Sequence, residues 1–466
     1  MASDDAGPFV SGPLALADSA LLTDLYELTM AAAFLREGVN DSATFSLFVR
    51  RLPPERGFLV AAGLEDVLEF LRGLRFSADA LAYLRSLRRF EPGFLDYLAA
   101  LRFTGDVRAV REGTVVFADE PLLEVTGPLI ETQIVETAVI HFCHLQTVQA
   151  SKAARSVLAA DGRTLAEFGL RRTHGMDAGM KAARAAWLTG FGSTSNALAG
   201  RTYGMPLSGT MAHSFVGAFP RELDAFEAYA RAFPDGAVLL LDTYDTAAAA
   251  QLAVEVARRL AAGGHRLAGV RLDSGDLAGL SREVRGILDA GGCPDVEIIV
   301  SGGLDEHDIA ALLAAGAPID AFGIGTRLNV SADAPSLDMV YKLVGLGGRD
   351  VLKLSPGKET WVGRKQVLRR VDAEGQLEGD RLALEEEPVP AGAVGLLEPV
   401  MRGGELLRPH PTLADLRAHC ARQLAALPPG LRRLRDAVKY PVVPSEALRA
   451  RQSLAISVAA GASDST

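Results

Sequence analysis

The sequence predicts an α/β protein whose middle portion is a parallel β-sheet or barrel with helices between the strands. Four short apolar runs, AVLLLD (237–242), LAGVRLD (267–273), VEIIVSGG (296–303) and IDAFGIG (319–325), recur roughly every 25 to 30 residues and alternate with helical stretches such as 180–188 and 246–262, the pattern of βα units. Each run ends in polar or small residues: Asp242 and Thr243; Arg271, Asp273 and Ser274; Ser301, Gly302 and Gly303; Gly323, Gly325 and Thr326. Barrels of this kind meet their ligands at the C-terminal ends of the strands, so four such ends in succession mark a candidate site.

The remaining elements follow in chain order. Residues 1–20 are small and polar with Gly and Pro and read as a flexible tail. From Leu21 the apolar residues Leu25, Leu28, Ala32 and Leu35 recur at helical spacing, and ATFSLFVR (43–50) then reads as a strand. Residues 58–100 look mostly helical, and 103–127 look like short antiparallel strands punctuated by Gly and Pro. These make an N-terminal α/β domain over 21–135, with the α/β barrel over 136–335 as the catalytic domain. Beyond it VYKLVGL and KQVLRRVD read as strands and 410–426 and 429–437 as helices. They form a C-terminal segment, 336–455, expected to pack on the N-terminal domain, before a flexible tail over 456–466.

Bulk properties narrow the function classes. A chain of 466 residues, 48% hydrophobic, is long enough for two or three packed domains. The formal net charge of -10 argues against a nucleic-acid or anionic-membrane partner, so any anionic ligand must be held locally. Cys143, Cys293 and Cys420 are odd in number and widely spaced, giving neither a disulfide framework nor a zinc signature. Asp4 and Asp5 stand where a secretory signal needs positive charge, and no apolar run approaches the roughly 20 residues of a membrane span. A cytoplasmic protein is expected.

Several motifs carry chemistry. Gly323–Thr326 (GIGT) and Ser301–Gly303 can expose backbone N–H groups to a phosphate, although a tight βα turn needs the same glycines. RLDSGD (271–276) sets Arg271 and Asp273 two residues apart on one strand face, where a guanidinium suits a carboxylate or phosphate and the acid suits ribose hydroxyls or a metal; a simple ion pair has the same spacing. EFGLRRTHG (167–175) puts Arg171 and Arg172 ahead of a helix starting near Asp177, as phosphate ligands or as a solvated turn. In GTMAHSFV (209–216) a lone His213 sits between Thr210 and Ser214, either a hydrogen-bonded core residue or a catalyst. His141 and His144 lack a third ligand and read as core or interface residues. No GxxxxGK[ST] or GxGxxG loop is present, which disfavours the usual ATPases and dehydrogenases.

Together LLTDLYELTM (21–30), EFGLRRTHG, GTMAHSFV, LLLDTYDT (239–246), GVRLDSGD, SGGLDE, GIGT and YKLV (341–344) resemble the ordered motif set of nicotinate phosphoribosyltransferases, from about residue 20 to at least 370. The resemblance implies a type II phosphoribosyltransferase fold: an irregular α/β barrel plus an α/β domain formed from the N- and C-terminal segments. It implies reaction of nicotinate with phosphoribosyl pyrophosphate, coupled to ATP hydrolysis and requiring Mg2+. On the matching positions, His213 is the histidine phosphorylated by ATP; Tyr26, Thr210 and Arg271 belong to the nicotinate site; Thr326 binds the sugar phosphate donor. By extension Arg171 and Ser214 join the substrate site, Asp273 the catalytic group, and Ser301, Gly302, Gly303 and Gly325 the phosphate cradle. A homodimer is expected. Val362, in WVGRKQV, departs from the family's more frequent Pro before the Gly, which bears on the local loop shape.

Three other readings stay open at this stage. A sister enzyme could use nicotinamide or quinolinate. A non-catalytic barrel could serve as a binding subunit, although the strand-end residues are complete. A barrel aldolase needs a Schiff-base lysine, and none of the four runs ends in Lys.

Overall fold

A computed structural model of the chain describes residues 19–355 and 359–463, so most of the stretch read as an N-terminal tail, and residues 464–466, lie outside the described residues. The chain divides into two compact units: Met1–Ser151 with Ser336–Thr466, and Lys152–Pro335. The division falls inside one helix, Glu136–Ala159, and the second unit begins at Lys152 where the sequence suggested 136.

The first unit is built on a seven-stranded antiparallel sheet. Its strands run, edge to edge, Arg349–Asp350, Met339–Leu346, Ser42–Val49, Pro121–Pro128, Asp106–Ala109, Glu398–Arg402 and Glu405–Leu406. The strand Ser42–Val49 is buried on both faces after its first residue and pairs with one strand from each end of the chain, which is how the C-terminal segment joins this unit. Phe45 stacks on Tyr341 across that pairing, with ring centroids 4.7 Å apart.

Helices Leu25–Glu37, Leu64–Gly73, Ala78–Ser86 and Pro92–Ala100 supply apolar residues to the same core. The helix expected over 429–437 is instead a run of turns, which Pro428, Pro429 and Gly430 introduce. The stretch 456–463, read as tail, continues the helix Glu446–Ser463, as its alanines favour. Val362, buried, donates its N–H to Gln452 Oε1 at 3.0 Å, a bond that the family's proline could not make.

The second unit is a curled parallel sheet of six strands in the order Ser193–Thr194, Thr164–Glu167, Ala321–Ile324, Glu297–Val300, Gly269–Leu272 and Val238–Leu240. Helices Thr246–Ala262, Leu277–Ala290 and Glu306–Ala314 make the crossovers between its later strands. Alternation sets the roles of the side chains: Val270 and Leu272 are fully buried in the apolar core, while Arg271 between them points the other way. The sheet bends without closing, an open and irregular barrel.

Cys143, Cys293 and Cys420 are free, and burial pushes the Cys420 thiol up to about 12. His144 accepts a hydrogen bond from the backbone N–H of Leu337 at 2.9 Å, a structural contact. Among the described residues no helix is long and apolar enough to cross a membrane.

Candidate active site

The strand Gly269–Leu272 delivers Arg271 to the site with its guanidinium already held. One terminal nitrogen donates to Thr210 Oγ1 at 2.6 Å and the other to the Met211 carbonyl at 3.1 Å. The Thr210 hydroxyl in turn donates to that same carbonyl at 3.3 Å. Arg271 makes no ion pair among the described residues, and its Nε is buried without a partner. Burial lowers its pKa, Asp273 and Asp242 raise it, and the neighbouring charge of Arg171 lowers it again; a guanidinium stays charged throughout. The simple ion pair that RLDSGD could have meant is not formed.

Asp273 follows the same strand, and its Oδ1 accepts from the buried Ser301 hydroxyl at 2.5 Å. Asp242, at the end of the neighbouring strand, accepts through Oδ2 from the Asp273 N–H at 3.2 Å and the Ser274 hydroxyl at 2.6 Å. Its Oδ1 is buried with no partner among the described residues.

His213 opens the short helix His213–Gly217 and is exposed. Its Nδ1 lies 3.1 Å from the Thr243 hydroxyl, which follows the strand Val238–Leu240. Ser214 is exposed beside it.

The phosphate-cradle candidates occupy two further strand ends. Gly302, at φ +102°, must be glycine: a Cβ there would stand 1.8 Å from the Asp273 carbonyl oxygen. Gly303, at φ +71°, faces open space. Gly325 precedes the short helix Thr326–Asn329, and the Thr326 hydroxyl accepts from Arg172 at 3.4 Å. Arg171 and Arg172 are exposed on the turn Leu170–Arg172.

Eleven of the twelve candidate residues therefore belong to the second unit, and hydrogen bonds link Arg271 with Thr210 and Asp273 with Ser301. Tyr26 belongs to the first unit. There it is 47% exposed, and burial together with the nearby acids Glu136, Glu27 and Asp24 raises its pKa. The sequence offered Thr243 and Asp242 only as strand-end residues, without their partners.

Nicotinate phosphoribosyltransferase pncB2 of Mycobacterium tuberculosis is 51% identical over 431 residues, covering 92% of this chain and 92% of its own. The chain belongs to the nicotinate phosphoribosyltransferase family. Family profiles match along its length: the N-terminal domain over residues 21–143, the nicotinate phosphoribosyltransferase (NAPRTase) family over 164–369, and the C-terminal domain over 390–452. The human nicotinate phosphoribosyltransferase is 36% identical over 525 residues, covering 95% of this chain and 97% of its own. The crystal structure of human nicotinic acid phosphoribosyltransferase superimposes with a TM-score of 0.83 at 35% identity, over 93% of this chain and 99% of that one. A nicotinate-nucleotide pyrophosphorylase from Pyrococcus furiosus, 24% identical with a TM-score of 0.73, shares the fold over 88% of this chain and 95% of its own. The type II phosphoribosyltransferase fold that the motifs implied is the fold of this chain.

Proposed function

We propose that the enzyme transfers the phosphoribosyl group of phosphoribosyl pyrophosphate to the ring nitrogen of nicotinate, giving nicotinate mononucleotide and pyrophosphate, the first step of NAD salvage from nicotinate. The transfer is coupled to ATP hydrolysis through a phosphohistidine at His213. One observation carries the substrate assignment: the Arg271 guanidinium is held by Thr210 and Met211 yet pairs with no carboxylate among the described residues. A fixed, unpaired fork suits a ligand carboxylate, which nicotinate has and nicotinamide lacks.

The pyridine nitrogen attacks the anomeric carbon as the bond to pyrophosphate breaks, so positive charge grows on the sugar and negative charge on the leaving group. Catalysis is then orientation and electrostatic stabilisation. The Asp273 carboxylate, fixed by Ser301, suits the sugar side. Backbone N–H groups around Gly302, Gly303 and Gly325, with Thr326, Arg171 and Arg172, suit the phosphates. Asp242 and Asp273 are hard oxygen donors of the kind Mg2+ takes, and Asp242 Oδ1 has no partner among the described residues; an ion held there would offset charge on the diphosphate.

For the coupling, an imidazole nitrogen of His213 takes the γ-phosphoryl group of ATP as ADP leaves, and water later cleaves the N–P bond to release phosphate. Ser214 lies beside it in sequence. Tyr26 keeps its assignment to the pyridine ring from the motif match. We further assign the enzyme to the cytoplasm, as a homodimer.

The test is product formation by purified protein given phosphoribosyl pyrophosphate and nicotinate, nicotinamide or quinolinate, each with and without ATP and Mg2+. Mononucleotide from nicotinate alone, stimulated by ATP, supports the reading. Preference for either other pyridine, or indifference to ATP, contradicts it.

A further inference from the structure

We infer that Glu167 is a positioning residue: its buried carboxylate ties three strand ends together, holds the Arg171–Arg172 turn beside Thr326, and thereby sets affinity for the anionic sugar-diphosphate donor. The inference rests on the transferase reading above.

Glu167 ends the strand Thr164–Glu167 and is 1% exposed, yet it forms no ion pair among the described residues. Neutral donors satisfy it instead. Oε1 accepts from the Gly169 N–H at 2.6 Å and from Asn329 Nδ2 at 2.9 Å, and Oε2 accepts from the Thr194 hydroxyl at 2.6 Å. Thr194 belongs to one flanking strand, Ser193–Thr194; Asn329 follows the other, Ala321–Ile324, at the end of the helix that Thr326 begins.

The turn carrying the arginines is fastened at successive points. The Phe168 N–H donates to the Ile324 carbonyl at 2.7 Å, Asn329 Nδ2 reaches the Thr173 hydroxyl at 2.8 Å, and that hydroxyl donates back to the Gly169 carbonyl at 3.0 Å. Gly169 packs so closely that a Cβ on it would stand 2.2 Å from Asn329 Cγ. The end of this chain of contacts is Arg172, donating to Thr326 Oγ1. A buried carboxylate holds several N–H and O–H donors more firmly than a neutral group would, because each bond is charge-assisted. Removing it leaves those donors unsatisfied and the turn free to drift from the phosphate-binding strand end.

The test compares wild type, Glu167→Ala, Glu167→Gln and Asn329→Ala, each checked for folding by circular dichroism and melting. Three readouts are taken: hydrogen exchange of the 168–175 segment, affinity for phosphoribosyl pyrophosphate by calorimetry, and KM for both substrates. Glu167→Ala is expected to speed exchange in that segment, to weaken donor affinity and raise donor KM about tenfold, and to leave nicotinate KM within about twofold. Glu167→Gln should recover most of the loss, since its oxygen can serve Gly169 and its amide can donate to Thr194. Should Glu167→Ala fail to fold, Asn329→Ala must show the same donor-selective change, of several-fold.

Unchanged donor affinity in a folded variant, or equal rises in both KM values, overturns the proposal, as does a Gln variant as impaired as Ala. A wild type that binds the donor but forms no nicotinate mononucleotide would overturn the transferase reading and leave this one standing on the calorimetry.

Discussion

The Thr243 hydroxyl meets Nδ1 of His213 at 3.1 Å, so a neutral group orients the imidazole proposed to carry phosphate. The contact fixes the orientation of the ring and leaves Nε2 as the nitrogen open to a phosphoryl group. His213→Ala is expected to abolish labelling by γ-32P-ATP and ATP stimulation, leaving weak, pyrophosphate-sensitive transferase activity. Thr243→Val should slow labelling about tenfold by loosening the ring. Labelling of the His213→Ala protein at the wild-type level would remove His213 from its role.

Gly302 and Gly303 both have positive φ, but only Gly302 is pressed against the backbone of Asp273. Gly302→Ala is expected to destabilise by about 2 to 4 kcal/mol and to lose most donor binding, because strain and overlap act together. Gly303→Ala meets open space and should cost about 1 kcal/mol. Denaturant unfolding of both variants checks this; equal effects would refute the distinction.

Asp273→Asn keeps an oxygen for the Ser301 hydroxyl and removes the charge. The expected result is a kcat lower by about two orders of magnitude with little change in melting temperature. Steady-state kinetics and a thermal melt read the two quantities separately, and a kcat within about threefold of wild type would exclude charge stabilisation by Asp273.

Glu27 offers a pH-dependence outside the site. Burial pushes its carboxyl up to about 7 from an ordinary 4.5, against hydrogen bonds from Thr137 and Thr23 that lower it. The folded state therefore binds the proton more tightly than the unfolded chain, so stability falls as pH rises from about 4.5 to about 7 and is then level. The full effect is ~3 kcal/mol as an order of magnitude. Glu27→Gln should flatten this fall, measured as urea-unfolding free energies at several pH values; an unaltered pH slope would contradict it.

Much of the second unit was legible because four of its strands are apolar runs closed by polar residues, and the alternation around Val270, Arg271 and Leu272 fixed which side chains turn to the site. The helix read over 246–262 is Thr246–Ala262. Two strands carry no such signal: Ser193–Thr194 is only two residues long, and Thr164–Glu167, as long as the others, begins in polar residues and runs into the charged EFGLRRTHG motif with no apolar run of its own. Contacts such as Thr243 with His213 and Asn329 with Glu167 join residues 30 and 162 positions apart, which no local pattern encodes. The expected boundary at 136 coincides with the start of the helix Glu136–Ala159, whereas the division between the two units falls within that helix, at Lys152, where no composition change marks it.

The central claim is that Arg271 reads the carboxylate of the pyridine substrate. Its most direct test is the ratio of kcat/KM for nicotinate to that for nicotinamide, in wild type and in Arg271→Gln. The ratio should favour nicotinate strongly in wild type and collapse about a hundredfold in the variant, mostly through nicotinate. A ratio that survives the substitution would mean that the guanidinium does not choose the substrate.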